Sequence, residues 1–115
     1  MSYKIFHNPR CRKSRTALKA LQETGEAIEV VEYLKETPGF EEIKDILIRL
    51  NMSATAIIRT KEAEFKPYKG LELTEEEWIQ TLVEHPKLIE RPIVVKGAKA
   101  VIARTPEAIE EILVN

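Results

Sequence analysis

A single cysteine stands among the 115 residues, at position 11. That excludes an internal disulfide and any zinc site built from several thiolates. Glycine and proline are scarce too, at 4 and 6, so neither a fibrous repeat nor a low-complexity linker fits the chain. Long apolar runs are missing: the longest, Ala100-Val101-Ile102-Ala103, falls far short of the ~20 residues that span a bilayer. The N-terminus moves straight into a strand-like run and does not read as a signal peptide. These absences predict one domain over residues 1–115, with no membrane span, no metal and a cytoplasmic location. With a net charge of −1, a general nucleic-acid binder is not expected either. One further absence is local. No acidic residue occurs from Met1 to Gln22, which carries Lys4, Arg10, Arg12, Lys13, Arg15 and Lys19. Cys11 lies in the middle of that positive stretch.

The chain punctuates itself clearly. Residues 3–7 are β-prone, and Asn8-Pro9 ends the run as a turn. A helix is predicted from about Cys11 to Thr24, with Ala17, Leu18 and Leu21 on one face and Gly25 where a C-terminal cap belongs. Residues 27–33 read as a second strand, giving a βαβ unit with two parallel neighbours. After Pro38-Gly39, the residues Phe40, Ile43, Ile46, Leu47 and Leu50 follow the helical period. Short helical pieces are expected over 53–65, with Ser53 as a cap. Thr74 to Glu77 forms a capping-box pattern, and His85-Pro86 stops the helix it opens. Two strands over 92–96 and 99–103 then flank Gly97-Ala98, and Thr105-Pro106 opens a last helix. The order βαβ, helical middle, ββα describes a thioredoxin-like α/β fold: a four-stranded mixed sheet with a helical insertion.

Cys11 has two readings, a small buried core residue or a nucleophilic thiolate. The second is favoured by the turn proline and helix start, where backbone N–H groups favour negative charge. Four neighbouring cations and Ser14 at i+3, a donor to the sulfur, act in the same direction. Because position 14 is serine, the run Cys11-Arg12-Lys13-Ser14 cannot cycle as a dithiol, and any redox turnover must finish with an external thiol. His7 reads equally as an imidazolium beside the thiolate or as a strand-end surface residue. His85 reads as a cap or surface residue. Arg59, Arg91 and Arg104 stand apart from salt-bridged helix faces. Each alone reads as a solvated charge, but if they converge they make an oxyanion clamp.

The segment Phe6-His7-Asn8-Pro9-Arg10-Cys11-Arg12-Lys13-Ser14-Arg15 resembles the active-site segment of the glutaredoxin-coupled arsenate reductases. Leu88 to Val95 matches that family's second signature, and Arg59 and Arg104 fall at its other two arginine positions. The similarity runs essentially end to end. Its Asn-Pro-Arg-Cys-x-Lys-Ser-Arg form looks like a chromosomal branch, shorter at the C-terminus than the well-studied resistance enzymes. The resemblance implies that the Cys11 thiolate attacks arsenate, that glutathione is the co-substrate, and that glutaredoxin completes the reduction to arsenite. It implies that Arg59, Arg91 and Arg104 hold the oxyanion, that His7 and Ser14 activate the thiol, and that Pro92 is the fold's cis proline. No bound cofactor and a monomer are expected. Two other readings stand beside it. One is a regulator like the Spx proteins, which share the fold and bind RNA polymerase but typically carry a second cysteine where Ser14 stands. The other is a glutathione-linked thiol oxidoreductase with a different substrate.

All of the enzymatic readings place the chemistry on one sulfur. Cys11→Ser is therefore expected to abolish thiol-dependent turnover while leaving the far-UV circular dichroism spectrum of the parent.

Overall fold

A computed structural model describes residues 2–114. The chain divides into two compact units, Met1–Glu36 with Arg91–Asn115, and Thr37–Glu90. The first holds the sheet. Strands β1 (Ser2–His7), β2 (Ala27–Glu32), β3 (Ile93–Lys96) and β4 (Lys99–Ile102) lie in the order β2-β1-β3-β4. β1 runs parallel to β2, with His7 opposite Glu32, and antiparallel to β3, with Phe6 opposite Ile93. The β3–β4 hairpin turns at Gly97, whose φ of +59° suits a residue without a Cβ.

Helix α1 (Arg12–Gln22) is the crossover between the two parallel strands, and α4 (Pro106–Leu113) follows β4; α2 and α3 belong to the other unit. One core joins Tyr3 and Ile5 of β1 to Ala17 and Leu21 of α1, Val94 and Val101 of the hairpin, Ala103, and Ile112 of α4. Alternation along β1 puts His7 on the same face as Tyr3 and Ile5. The buried residues of α1 are Ser14, Ala17 and Leu21, one helical stripe. The end of β1 and the first turn of α1 are thus packed against each other by the same periodicities that build the core.

The second unit carries α2 (Phe40–Leu50) and α3 (Glu75–Glu84), with 3-10 helices at Ala54–Ile57, Ala63–Tyr68 and Pro86–Leu88. Its buried residues include Ile43, Ile46, Leu47, Trp78, Ile79 and Leu82. The capping box forms as the sequence predicts: Glu77 N–H donates to Thr74 Oγ1 at 3.1 Å and Thr74 N–H to the Glu77 carboxylate at 2.8 Å. Thr105 caps α4 through Ala108 N–H.

Some expected details differ. The helical pieces over 53–65 are two 3-10 helices broken at Ile58–Glu62. Ser53 makes no side-chain cap hydrogen bond: its hydroxyl lies 3.2 Å from Thr55 Oγ1, and the Glu75 carboxylate accepts from Ala54 N–H at 2.9 Å. The strand expected over 27–33 ends at Glu32, where the chain turns with Lys35 and Glu36 N–H both donating to the Glu32 carbonyl. Helix α1 ends at Gln22 rather than Thr24, and Gly25 follows with φ +77°.

Leu21 is 1 % exposed and Ile48 is 71 % exposed. Leu21→Ala is expected to cost about 2–5 kcal/mol, and Ile48→Ala less than about 0.5 kcal/mol, both read from urea-unfolding midpoints.

Candidate functional site at the start of helix α1

The turn between β1 and α1 is organised by Asn8. Its backbone carbonyl accepts from Cys11 N–H at 3.0 Å, with Pro9 in the turn position that its fixed φ suits. Its side-chain oxygen accepts from Arg10 N–H at 3.0 Å, an Asx turn. Arg15 reaches back to donate to the Pro9 carbonyl at 2.9 Å. The result places Cys11 at the N-cap of α1, one residue before the helix the sequence pattern began there, with extended backbone.

The Cys11 thiol is half-buried. Burial pushes its pKa up. Against this, the Ser14 N–H, a hydrogen bond from Arg91, the Lys13 N–H and the Arg91 charge pull it down, and together they win, leaving it below its ordinary value. Lys13 and Ser14 are the second and third residues of α1, whose N–H groups have no partner inside the helix. A thiolate answers them where a neutral thiol does so poorly, and Cys11 accordingly closes no ordinary side-chain cap bond.

Ser14 acts differently from the sequence expectation. Its hydroxyl does not turn to the sulfur. Fully buried, it lies 2.6 Å from His7 Nδ1 and accepts from Asn8 N–H at 3.0 Å. The backbone of Ser14, not its side chain, serves Cys11. His7 is not a surface residue, and its burial favours the neutral ring. It is 5 % exposed, and burial holds its pKa below the ordinary value, opposed by Glu32 and assisted by Arg15. At neutral pH it is an uncharged partner for Ser14.

Arg91 and Arg104 meet. Arg104 Nη1 donates to the Arg91 carbonyl at 2.8 Å, and the Arg91–Pro92 bond is cis. Lys13 Nζ donates to the Arg104 carbonyl at 3.3 Å. Beside these groups lies a cavity of about 300 Å³, lined by Arg12, Lys13 and Arg104 over a floor that includes Ala103, Pro106 and Ile109. Arg59 belongs to the other unit. Its N–H donates to the Leu88 carbonyl at 2.7 Å, and its Nη2 lies 3.4 Å from Glu62, so it is paired where the sequence pattern left it free. His85, in the same unit, is engaged on both ring nitrogens, with Tyr68 Oη at 2.9 Å and Glu64 at 3.2 Å.

Sequence reasoning missed Tyr33. It is 1 % exposed, its hydroxyl closes no hydrogen bond, and its surroundings include Arg91, Cys11 and Asn8. The signal was present in the register: Tyr33 follows Glu32, the partner of His7, just as Asn8 follows His7. Among the described residues no group of three or more His, Cys, Asp or Glu side chains is placed to hold a metal, and no helix is long and apolar enough to cross a membrane.

A mixed four-stranded sheet with a lone cysteine at the start of its crossover helix is a thioredoxin-like arrangement. Residues 6–112 match the ArsC family, and the chain belongs to it. It is 45 % identical over 114 residues to an arsenate reductase of Neisseria meningitidis serogroup A, covering 96 % of this chain and 97 % of that one. It is also 46 % identical over 113 residues to an uncharacterized protein of Escherichia coli K12, covering 96 % and 95 %. Among solved structures, an arsenate reductase from Vibrio cholerae superposes with a TM-score of 0.91 at 40 % identity, covering 97 % and 98 %.

The buried neutral His7 makes a pH prediction. Because its folded pKa lies below the ordinary 6.5, the unfolded chain binds the proton first. Its contribution to stability is present above that value and is lost as pH falls through the folded one. Unfolding midpoints are expected to drop between about pH 7 and 5 in the parent, and to drop less in His7→Gln.

Proposed function

We propose that this protein reduces arsenate to arsenite through Cys11, with glutathione and glutaredoxin supplying the electrons. The observation that carries the reading is the Cys11 thiol at the N-cap of α1, pulled below its ordinary pKa by backbone N–H groups and Arg91, with no second cysteine in the chain. Membership of a family that includes named arsenate reductases supports it.

The chemistry follows from those groups. The sulfur lone pair attacks arsenic(V), an S–As bond forms, and one arsenic–oxygen bond breaks with the oxygen leaving as water after protonation. Arg91 and Arg104 stabilise the charge that gathers on the remaining oxygens during attack. Arg59 enters the proposal as the third guanidinium on its sequence position alone. An external thiol must then take arsenic to the trivalent state, since this chain has no second cysteine. In the balance, two thiols become one disulfide as arsenic gains two electrons. Glutathione suits the cavity at the first turn of α1: Arg12, Lys13 and Arg104 match its carboxylates, and the apolar floor matches its aliphatic parts. His7 and Ser14 hold the first turn of α1 in place and leave the thiolate to the backbone. The working protein is a cytoplasmic single domain and a monomer in this reading.

The test is NADPH consumption with purified protein, arsenate, glutathione, glutaredoxin and glutathione reductase. Arsenate-dependent turnover is expected, and it should vanish in Cys11→Ser and when glutaredoxin is omitted. Turnover with a glutathione-linked disulfide in place of arsenate would favour the alternative thiol oxidoreductase. Arg91→Lys keeps the charge but loses the planar fork, so kcat/KM for arsenate should fall about tenfold to hundredfold. Parent-like kinetics at limiting arsenate would remove Arg91 from the clamp.

A further inference from the structure

Among the described residues, the buried side-chain polar atoms that close no hydrogen bond are Tyr33 Oη, Arg91 Nε and Arg59 Nη1. Two of them, on Tyr33 and Arg91, lie in the unit that holds Cys11. A buried polar atom without a partner costs about 1–3 kcal/mol, and such groups are rare enough in folded proteins to need a reason. Here the two are complementary: a guanidinium N–H that donates, and a phenol oxygen that accepts.

The sheet explains why they are neighbours. β1 is the central strand of the three concerned. Carried one residue past its last pair, the parallel ladder sets Tyr33 beside Asn8. The β1–β3 pairing ends at Phe6 and Ile93, and the same register carried two residues on would bring Arg91 to the other side of Asn8. Tyr33 and Arg91 thus flank the turn that presents Cys11, and both Asn8 and Arg91 act on the phenol oxygen as hydrogen-bond donors without reaching full geometry.

We propose that Tyr33 is a positioning residue: its buried hydroxyl braces the Arg91 guanidinium so that the arginine faces the Cys11 sulfur. The role deepens the reading of Cys11 as the nucleophile and rests on it. Tyr33 Oη is too buried to meet a substrate directly, so it acts through Arg91. Its own ionisation plays no part. Burial, opposed by Arg91 and reinforced by the Cys11 charge, pushes the phenol up to about 12, and it stays protonated wherever the protein works. A neutral oxygen is the right brace, because a phenolate would draw the guanidinium away from the sulfur.

The experiment reads the sulfur without any oxyanion present. The rate of Cys11 alkylation by iodoacetamide is followed against pH for the parent, Tyr33→Phe, Arg91→Ala and the double variant. Tyr33→Phe should move the profile to higher pH and slow alkylation at neutral pH by roughly two- to threefold, less than a complete hydrogen bond would give. The double variant should be no slower than Arg91→Ala alone, since the two act in series. The thermal midpoint of Tyr33→Phe should equal or exceed the parent's, because the ring stays and no complete bond is lost. A parent-like profile, an added loss in the Arg91→Ala background, or a lowered midpoint would each overturn the proposal. Arsenate is absent from this assay, so a wrong substrate assignment leaves its result untouched, and a failed brace leaves the turnover assay untouched.

Discussion

The N–H groups of Lys13 and Ser14, together with the Arg91 guanidinium, act on one half-buried sulfur, and they have to outweigh the burial that resists its ionisation. That competition is close by nature. A thiolate away from bulk water is costly, and each donor contributes only if its direction is held. Much of the unit around Cys11 can be understood as holding directions. Asn8 uses its carbonyl and side-chain oxygen to shape the turn and its N–H to hold Ser14. The core under β1 and α1 sets the angle from which the first helical turn meets the sulfur.

Arg91 belongs to the same logic from the opposite side. It sits just before β3, which pairs with β1, and its carbonyl is held by Arg104. Its guanidinium keeps one buried N–H unsatisfied. A buried donor left without a partner costs stability, and it lies in the same unit as the buried Tyr33 hydroxyl that also closes no hydrogen bond.

How far the sequence showed this depended on how local each signal was. The capping box at Thr74, the cap at Thr105 and the Asn8-Pro9 turn are short-range hydrogen-bond patterns, legible in four or five residues. The charge asymmetry around Cys11 needed no fold at all. Tyr33 was hidden because an aromatic at the end of Ala-Ile-Glu-Val-Val-Glu reads as one more strand residue; only pairing with β1 brings it beside Asn8. The pairing of Arg59 was hidden for a related reason: Glu62 was visible three residues on, but nothing in spacing says which carboxylate turns to the guanidinium.

Ser14 shows why a motif is not yet a mechanism. Its spacing from Cys11 suits a hydroxyl that donates to the sulfur, and the same spacing places it on the buried stripe of α1 with Ala17 and Leu21. The stripe wins, because a side chain facing the core finds His7 and the Asn8 N–H there, and a buried hydroxyl must take the partners it meets. The residue therefore divides its work. The side chain ties the first turn of α1 to the end of β1, and that tie fixes the backbone N–H that the thiolate uses. Burial disfavours the charged form of His7, with Glu32 opposing that effect and Arg15 adding to it. The N–H groups that lower the Cys11 pKa thus belong to a helix start that the buried His7–Ser14 contact ties to the end of β1.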